Sequence, residues 1–258
     1  MSQALYLTEY EVLWLSSGIL LAIGTLVFVL TNARISNHSI WTHPHFSGAT
    51  LTQFFYVAAQ CSIFAYFINY MTSQIPPVPD AWKAGWFVNW FEIHKNGLMG
   101  LSDKGASTLA SVAFGFFLAG RVIGAGLLKK FPAHQVLATF AGLSGLCSLL
   151  VLFKFGWLSA IALFLIYFFM SIMFPTIFSL GIYGLGGRAK KASSFIVMAI
   201  MGGAIMPKLM GHIADNRGMS AGFIVPLACF ILVGCYGFFW SRLSGSEGIA
   251  GSSVAKGH

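Results

Sequence analysis

Two amides and a phenol recur at helical spacing inside one long apolar run. Gln53, Tyr56 and Gln60, continued by Phe64 and Phe67, fall on one face of a helix that turns about 100° per residue. Amides donate to and accept from hydroxyls, and aromatic faces pack on the C–H faces of a pyranose, so this face suits a sugar. It equally suits a bundle helix whose amides bond to neighbouring helices. A second stretch, FFMSIMFPTIFSLG, carries Met173, Phe174 and Pro175. Proline lacks an N–H and loosens a helix, which fits either a gating helix or a passive kink.

Charges within the apolar runs are few. Arg121 lies about two turns before Lys129 and Lys130. It reads as a gate or as the partner of an acid outside this chain, and equally as a guanidinium that caps carbonyls of a neighbouring helix. Lys208 lies near His212 and Asp215 and reads as snorkelling outward. No Asp or Glu falls at mid-depth of any apolar run, so a proton-linked carboxylate is expected elsewhere in the protein if protons move. Gly202-Gly203 and Pro207 suggest close helix packing. His38, His43 and His45 would not be presented together by a regular helix. A solvated loop is expected there, and no metal site. Hydrolase triads, phosphate loops and HExxH are absent, so neither an enzyme nor a cofactor is expected.

The elements that must position these residues follow from composition. The chain has 258 residues, 57% hydrophobic and 9% charged, with a mean hydropathy of +0.78. Soluble domains carry about 25% charged residues. A soluble enzyme, a disordered chain and a nucleic-acid binder are excluded on these grounds. The net charge of +8 forms no stripe and reads as topology charge. Four cysteines lie in apolar runs without paired spacing and read as small buried hydrophobes.

A hydrocarbon core about 30 Å thick needs about 20 helical residues to cross it. Seven runs qualify, at 13–33, 49–72, 107–128, 133–153, 157–179, 192–214 and 220–241. The fold class is therefore an all-α polytopic membrane protein with seven transmembrane helices. The proline- and tryptophan-rich stretch 73–106 is expected to be a partly structured outer loop, with an interfacial helix as the structure it could hold. The Gly/Ser-rich tail 243–258 is expected to be mobile.

Arg34, Lys129, Lys130, Arg188, Lys190, Lys191, Arg242 and Lys256 lie on one side, in short connections and the C-terminal tail. The other side holds fewer bases and most of the acids. The first side is expected to be cytoplasmic, which puts the N-terminus of the chain outside and its C-terminus inside. An odd helix count with an outside N-terminus suits helices six to twelve of a twelve-helix transporter.

Three stretches carry a resemblance to a known family. They are TQFFYVAAQ (52–60), GRVIGAGLLKKFPAHQVL (120–137) and FMSIMFPTIFSLGIYGLGGRAKKASSFIVMAIMGGAIMPKLMG (169–211). Together the chain resembles the C-terminal portion of the fucose–galactose–glucose:proton symporter family of the major facilitator superfamily, most of all its L-fucose carriers. The resemblance implies two six-helix bundles around a sugar cavity. Residues 1–48 would then be the sixth helix and central loop, and 49–242 the C-terminal bundle. It implies a proton gradient as driving force, with the proton-linked acids in an N-terminal half that this chain lacks. That half, a small sugar and membrane lipid are the partners implied, in an inner membrane, with no nucleic acid. Gln53, Tyr56, Gln60, Phe64 and Phe174 would line the cavity, and Arg121, Lys129, Lys130 and Pro175 would belong to the gating region. In the L-fucose carriers a tyrosine precedes the proline, and a glutamine precedes that tyrosine. Here Phe174 and Met173 stand there, which leaves other hexoses open.

Two rivals stand beside this reading. A seven-helix receptor or rhodopsin-like photoprotein fits the helix count and length. A retinal protein, however, needs a lysine in the last span and nearby acids, and 220–241 has no lysine and no span has the acids. A degenerate, non-transporting membrane subunit would fold without a working cavity.

Overall fold

The computed structural model describes residues 40–41, 43–76, 90–93 and 99–254. The chain divides into two compact units, Met1–His43 and Pro44–His258. In the first, the His43 N–H donates to the Ile40 carbonyl at 3.3 Å. The predicted span 13–33 and His38 lie outside the described residues. The boundary at 43/44 precedes the expected 48/49 because the first helix of the second unit already starts at Pro44. Proline is well suited to the first helical position, where its missing N–H has no partner to lose.

The second unit is almost entirely helical. Helix α1 (Pro44–Gln74) is followed by two short antiparallel strands, β1 (Phe91–Ile93) and β2 (Met99–Leu101), with Glu92 opposite Gly100. Next come α2 (Asp103–Leu128), α3 (Ala133–Leu152), α4 (Trp157–Met170) and α5 (Met173–Ile182). The chain continues through α6 (Ala189–Met198), α7 (Gly202–Arg217), α8 (Met219–Gly222) and α9 (Ile224–Val254). Helices α4 and α5 together make one span, α6 and α7 another, and α8 with α9 a third. Among the described residues, six stretches are long and apolar enough to cross a membrane, and these match the second to seventh predicted runs. The chain is a multi-pass membrane protein.

Apolar runs without a period of two make helices because the backbone must satisfy itself where water is absent. Side-chain hydroxyls in these runs do the same. Thr50, Ser62, Thr176 and Ser193 each donate to the carbonyl four residues earlier, at 2.7–3.1 Å. Helix α2 has a defined start. Ser102 accepts from the Gly105 N–H at 3.1 Å and donates to the Trp90 carbonyl at 3.0 Å, which ties the strand pair to the helix.

Helix α1 packs against α5, α7 and α9, while α3 lies against α4 and α9. Phenols knit the bundle by reaching carbonyls of other elements. Tyr70 donates to Val151 at 3.1 Å and Tyr236 to His45 at 3.0 Å. The phenyl body adds buried area while the hydroxyl finds a partner. The predicted small-residue contact is present: a Cβ at Gly202 would strike the Phe54 carbonyl, and one at Gly203 would lie 2.6 Å from Cys61 Sγ.

Four sequence expectations differ from the structure. His45 is not in a solvated loop. It is buried in the first turn of α1, with Nε2 3.0 Å from the Tyr183 carbonyl, because the helix starts earlier than its hydropathy suggests. The expected loop 73–106 contains the β1–β2 pair, with 77–89 and 94–98 outside the described residues. Helix α9 continues through Val254 into the expected tail, since each residue added to an existing helix gains a hydrogen bond without a new nucleation cost. Cys235 is exposed on α9 rather than buried.

Candidate functional site

The candidate residues on α1 separate by depth. Gln53 and Tyr56 are fully buried, whereas Gln60 and Phe64 are half-buried. The Gln53 amide nitrogen and oxygen are both shielded and have no hydrogen-bond partner among the described residues. Such a group carries a desolvation cost of about 1–3 kcal/mol, so it is an unusual choice for a passive packing position.

Tyr56, one turn further on, is satisfied. Its hydroxyl donates to the Met170 carbonyl at 2.7 Å, and its ring meets Phe174 edge to face, centroids 6.3 Å apart. Tyr56→Phe should therefore destabilise the bundle by about 1–3 kcal/mol, because the Met170 carbonyl loses its phenol donor. Thermal unfolding in detergent reads this directly. Phe64 belongs to an aromatic cluster with Phe114, Phe117 and Tyr167, with centroids 5.0–6.1 Å away.

Met170 marks the end of α4. The span breaks at Ser171–Ile172 and resumes as α5. The break has a local cause. Pro175 has no N–H to give the carbonyl four residues before it, which is Ser171. Arg121 Nε donates to that same carbonyl at 3.3 Å, and its guanidinium carbon lies 5.2 Å from the Phe117 ring centroid. Of the two readings of Arg121, the geometry matches the capping of a neighbouring helix's carbonyl. Two glycines bring α2 close enough for this. A Cβ at Gly120 would strike the Phe168 carbonyl and lie 2.6 Å from Ser171 Oγ, and one at Gly124 would lie 2.6 Å from Ile172 Cδ1.

The structure thus brings Tyr56, Arg121, Phe174 and Pro175 to one broken segment. Lys129 and Lys130 do not join them. Both are exposed at the α2–α3 turn, about 12 Å along the helix from Arg121. Lys208 is exposed on α7, and His212 is contacted by Asn216. Among the described residues no group of three or more metal-ligand side chains converges. Two features had no place in the sequence reading. The Ser171 carbonyl was legible as the fourth residue before Pro175. The buried hydroxyls of Ser144 and Ser148, without partners among the described residues, had no sequence signal.

The chain has relatives among known proteins. The chain is 36% identical over 199 residues to the L-fucose-proton symporter of Escherichia coli, which covers 77% of this chain and 40% of that protein. It is 28% identical over 204 residues to a glucose/galactose transporter of Brucella abortus, covering 79% and 44%. A crystal structure of the major facilitator superfamily transporter FucP in the outward conformation superposes with a TM-score of 0.68. The identity there is 32%, over 82% of this chain and 45% of that one. The chain is a homologue of these transporters and shares the fold of a major facilitator superfamily transporter. It carries a C-terminal portion of that fold and spans about two fifths of the length of these relatives. No protein-family model matches it. The amide-bearing α1 lies against α5, the second half of the broken span.

Proposed function

We propose that this chain forms the C-terminal wall of a sugar cavity in a proton-coupled hexose symporter. L-fucose, galactose and glucose are the candidate sugars. The observation that carries the reading is Gln53, an amide fully buried on the face of α1 with no partner among the described residues. A ligand hydroxyl would satisfy it once the side chains that cover the amide move aside in the transport cycle. Gln60 and Phe64 extend the same face, and Phe174 offers a ring for the sugar's C–H face. The family relationship supports the substrate class, since the relatives are named for L-fucose, glucose and galactose.

The mechanism in this proposal is alternating access, with this bundle rocking against an N-terminal half that supplies the proton-linked acids. The α4–α5 break is its flexible element. Arg121 and Pro175 set the break's local shape, and the Lys129–Lys130 turn belongs to the cytoplasmic end. In this reading the protein sits in the inner membrane with its C-terminus inside.

The test uses a chimera that joins residues 44–258 to the N-terminal half of the Escherichia coli L-fucose-proton symporter. Gln53→Ala and Gln60→Ala should each weaken sugar affinity about tenfold, as expected for losing hydrogen bonds in a dry site. Affinity equal to the parent in both variants would remove the α1 face from the cavity. Uptake that persists after the proton gradient is collapsed would remove the coupling.

A further inference from the structure

A groove of about 570 Å³ runs along the outside of the bundle between α3 and α9. Ala138, Gly142 and Gly145 line it from α3, and Gly234, Phe238 and Phe239 from α9. Among the described residues no acidic side chain lines it. The glycines here are not the kind that seat one helix on another. A Cβ at Gly142 would meet nothing within 4 Å, and one at Gly234 would lie an ordinary 3.7 Å from Ala141 Cβ. By contrast, one at Gly237, where α3 and α9 do touch, would lie 2.8 Å from the Ala138 nitrogen. Glycine in a helix interior costs about 1 kcal/mol relative to alanine, and at Gly142 its effect is to keep the groove deep.

The groove has the length of one leaflet. From Ala138 to Leu149 is about 17 Å of helix, against about 15 Å for half a hydrocarbon core. One end is basic. Arg242 follows Phe238 and Phe239 along the lining stripe of α9, and its guanidinium carbon lies 5.8 Å from the Phe239 ring centroid. The exposed Lys129 and Lys130 turn leads into α3 at the same end.

We infer that this groove seats one acyl chain of an anionic phospholipid from the leaflet at the basic end, with its phosphate on Arg242. The apolar walls take the chain and the guanidinium takes the phosphate, which it can grip in a planar, two-point geometry. A zwitterionic lipid would fit the walls but would bring its own cation to Arg242.

Native mass spectrometry of the full chain, purified in detergent, tests this with phosphatidylglycerol and phosphatidylcholine of identical acyl chains. One phosphatidylglycerol should bind about fivefold more tightly than phosphatidylcholine, the size expected for one basic contact. Arg242→Gln should reduce that preference to parity. Gly142→Leu, which fills the groove, should weaken both lipids at least about tenfold. Glycerol phosphate, which has the head but no chain, should not displace the lipid. Because Arg242 is exposed, its variant decides the headgroup question whether or not Gly142→Leu folds. Equal binding of the two lipids by the parent chain would overturn the proposal. So would unchanged phosphatidylglycerol binding in Arg242→Gln, or a dimer that forms through the groove and is lost in Gly142→Leu.

Discussion

Gln53→Leu is expected to stabilise the chain while removing sugar binding. Leucine has nearly the volume of glutamine and a similar helix propensity, so packing and backbone change little. What disappears is a buried amide whose two polar atoms have no partner among the described residues. Its removal should raise stability by about 1–3 kcal/mol, seen as a higher midpoint of thermal unfolding in detergent. In the chimera, the same substitution should lower sugar affinity at least about tenfold. The opposing signs are the informative part. A structural amide would lose stability on substitution, and a surface amide would change neither quantity. A lower unfolding midpoint would show that Gln53 is held by the protein itself.

Gly120→Val should have the largest effect on folding. The added branch would enter the Phe168 carbonyl and crowd Ser171 Oγ, both at the end of α4. Backbone cannot yield as a flexible side-chain tip does, so α2 must move away from the break and Arg121 must release the Ser171 carbonyl. A loss of about 3 kcal/mol or more is expected, read as a lower unfolding midpoint and aggregation on size exclusion. The control lies two turns away on the same helix. A Cβ at Gly126 meets nothing within 4 Å, so Gly126→Ala should stabilise the chain by about 0.5–1 kcal/mol. If both variants behaved alike, the close approach of α2 to the α4–α5 break would be wrong.

The long elements were legible because membrane helices announce themselves by continuous apolarity over about 20 residues. Six of the predicted runs appear with ends shifted by a few residues. Helix starts were less visible, since Pro44 and His45 carry no apolar signal and their helical state depends on packing against distant groups such as the Tyr183 carbonyl. The strand pair at Phe91–Ile93 and Met99–Leu101 was too short to show an alternation. At the site, residue type and spacing identified Gln53, Tyr56, Phe174 and Arg121, but spacing cannot say who is already satisfied. Tyr56 and Gln53 share a face one turn apart, yet one hydroxyl has a carbonyl at 2.7 Å and the other residue's amide has no partner among the described residues. That distinction depends on where α4 ends, a long-range fact that local sequence does not contain.

If this bundle supplies one wall of a working sugar cavity, the unmodified chimera should take up sugar. Labelled L-fucose, galactose and glucose would be offered in turn to cells lacking their own carriers for these sugars. Saturable uptake of at least one of them is expected, competed by the unlabelled sugar and abolished when the proton gradient is collapsed. A chimera that reaches the membrane folded, yet neither binds nor accumulates any of the three, would contradict it and leave a bundle that folds without transporting.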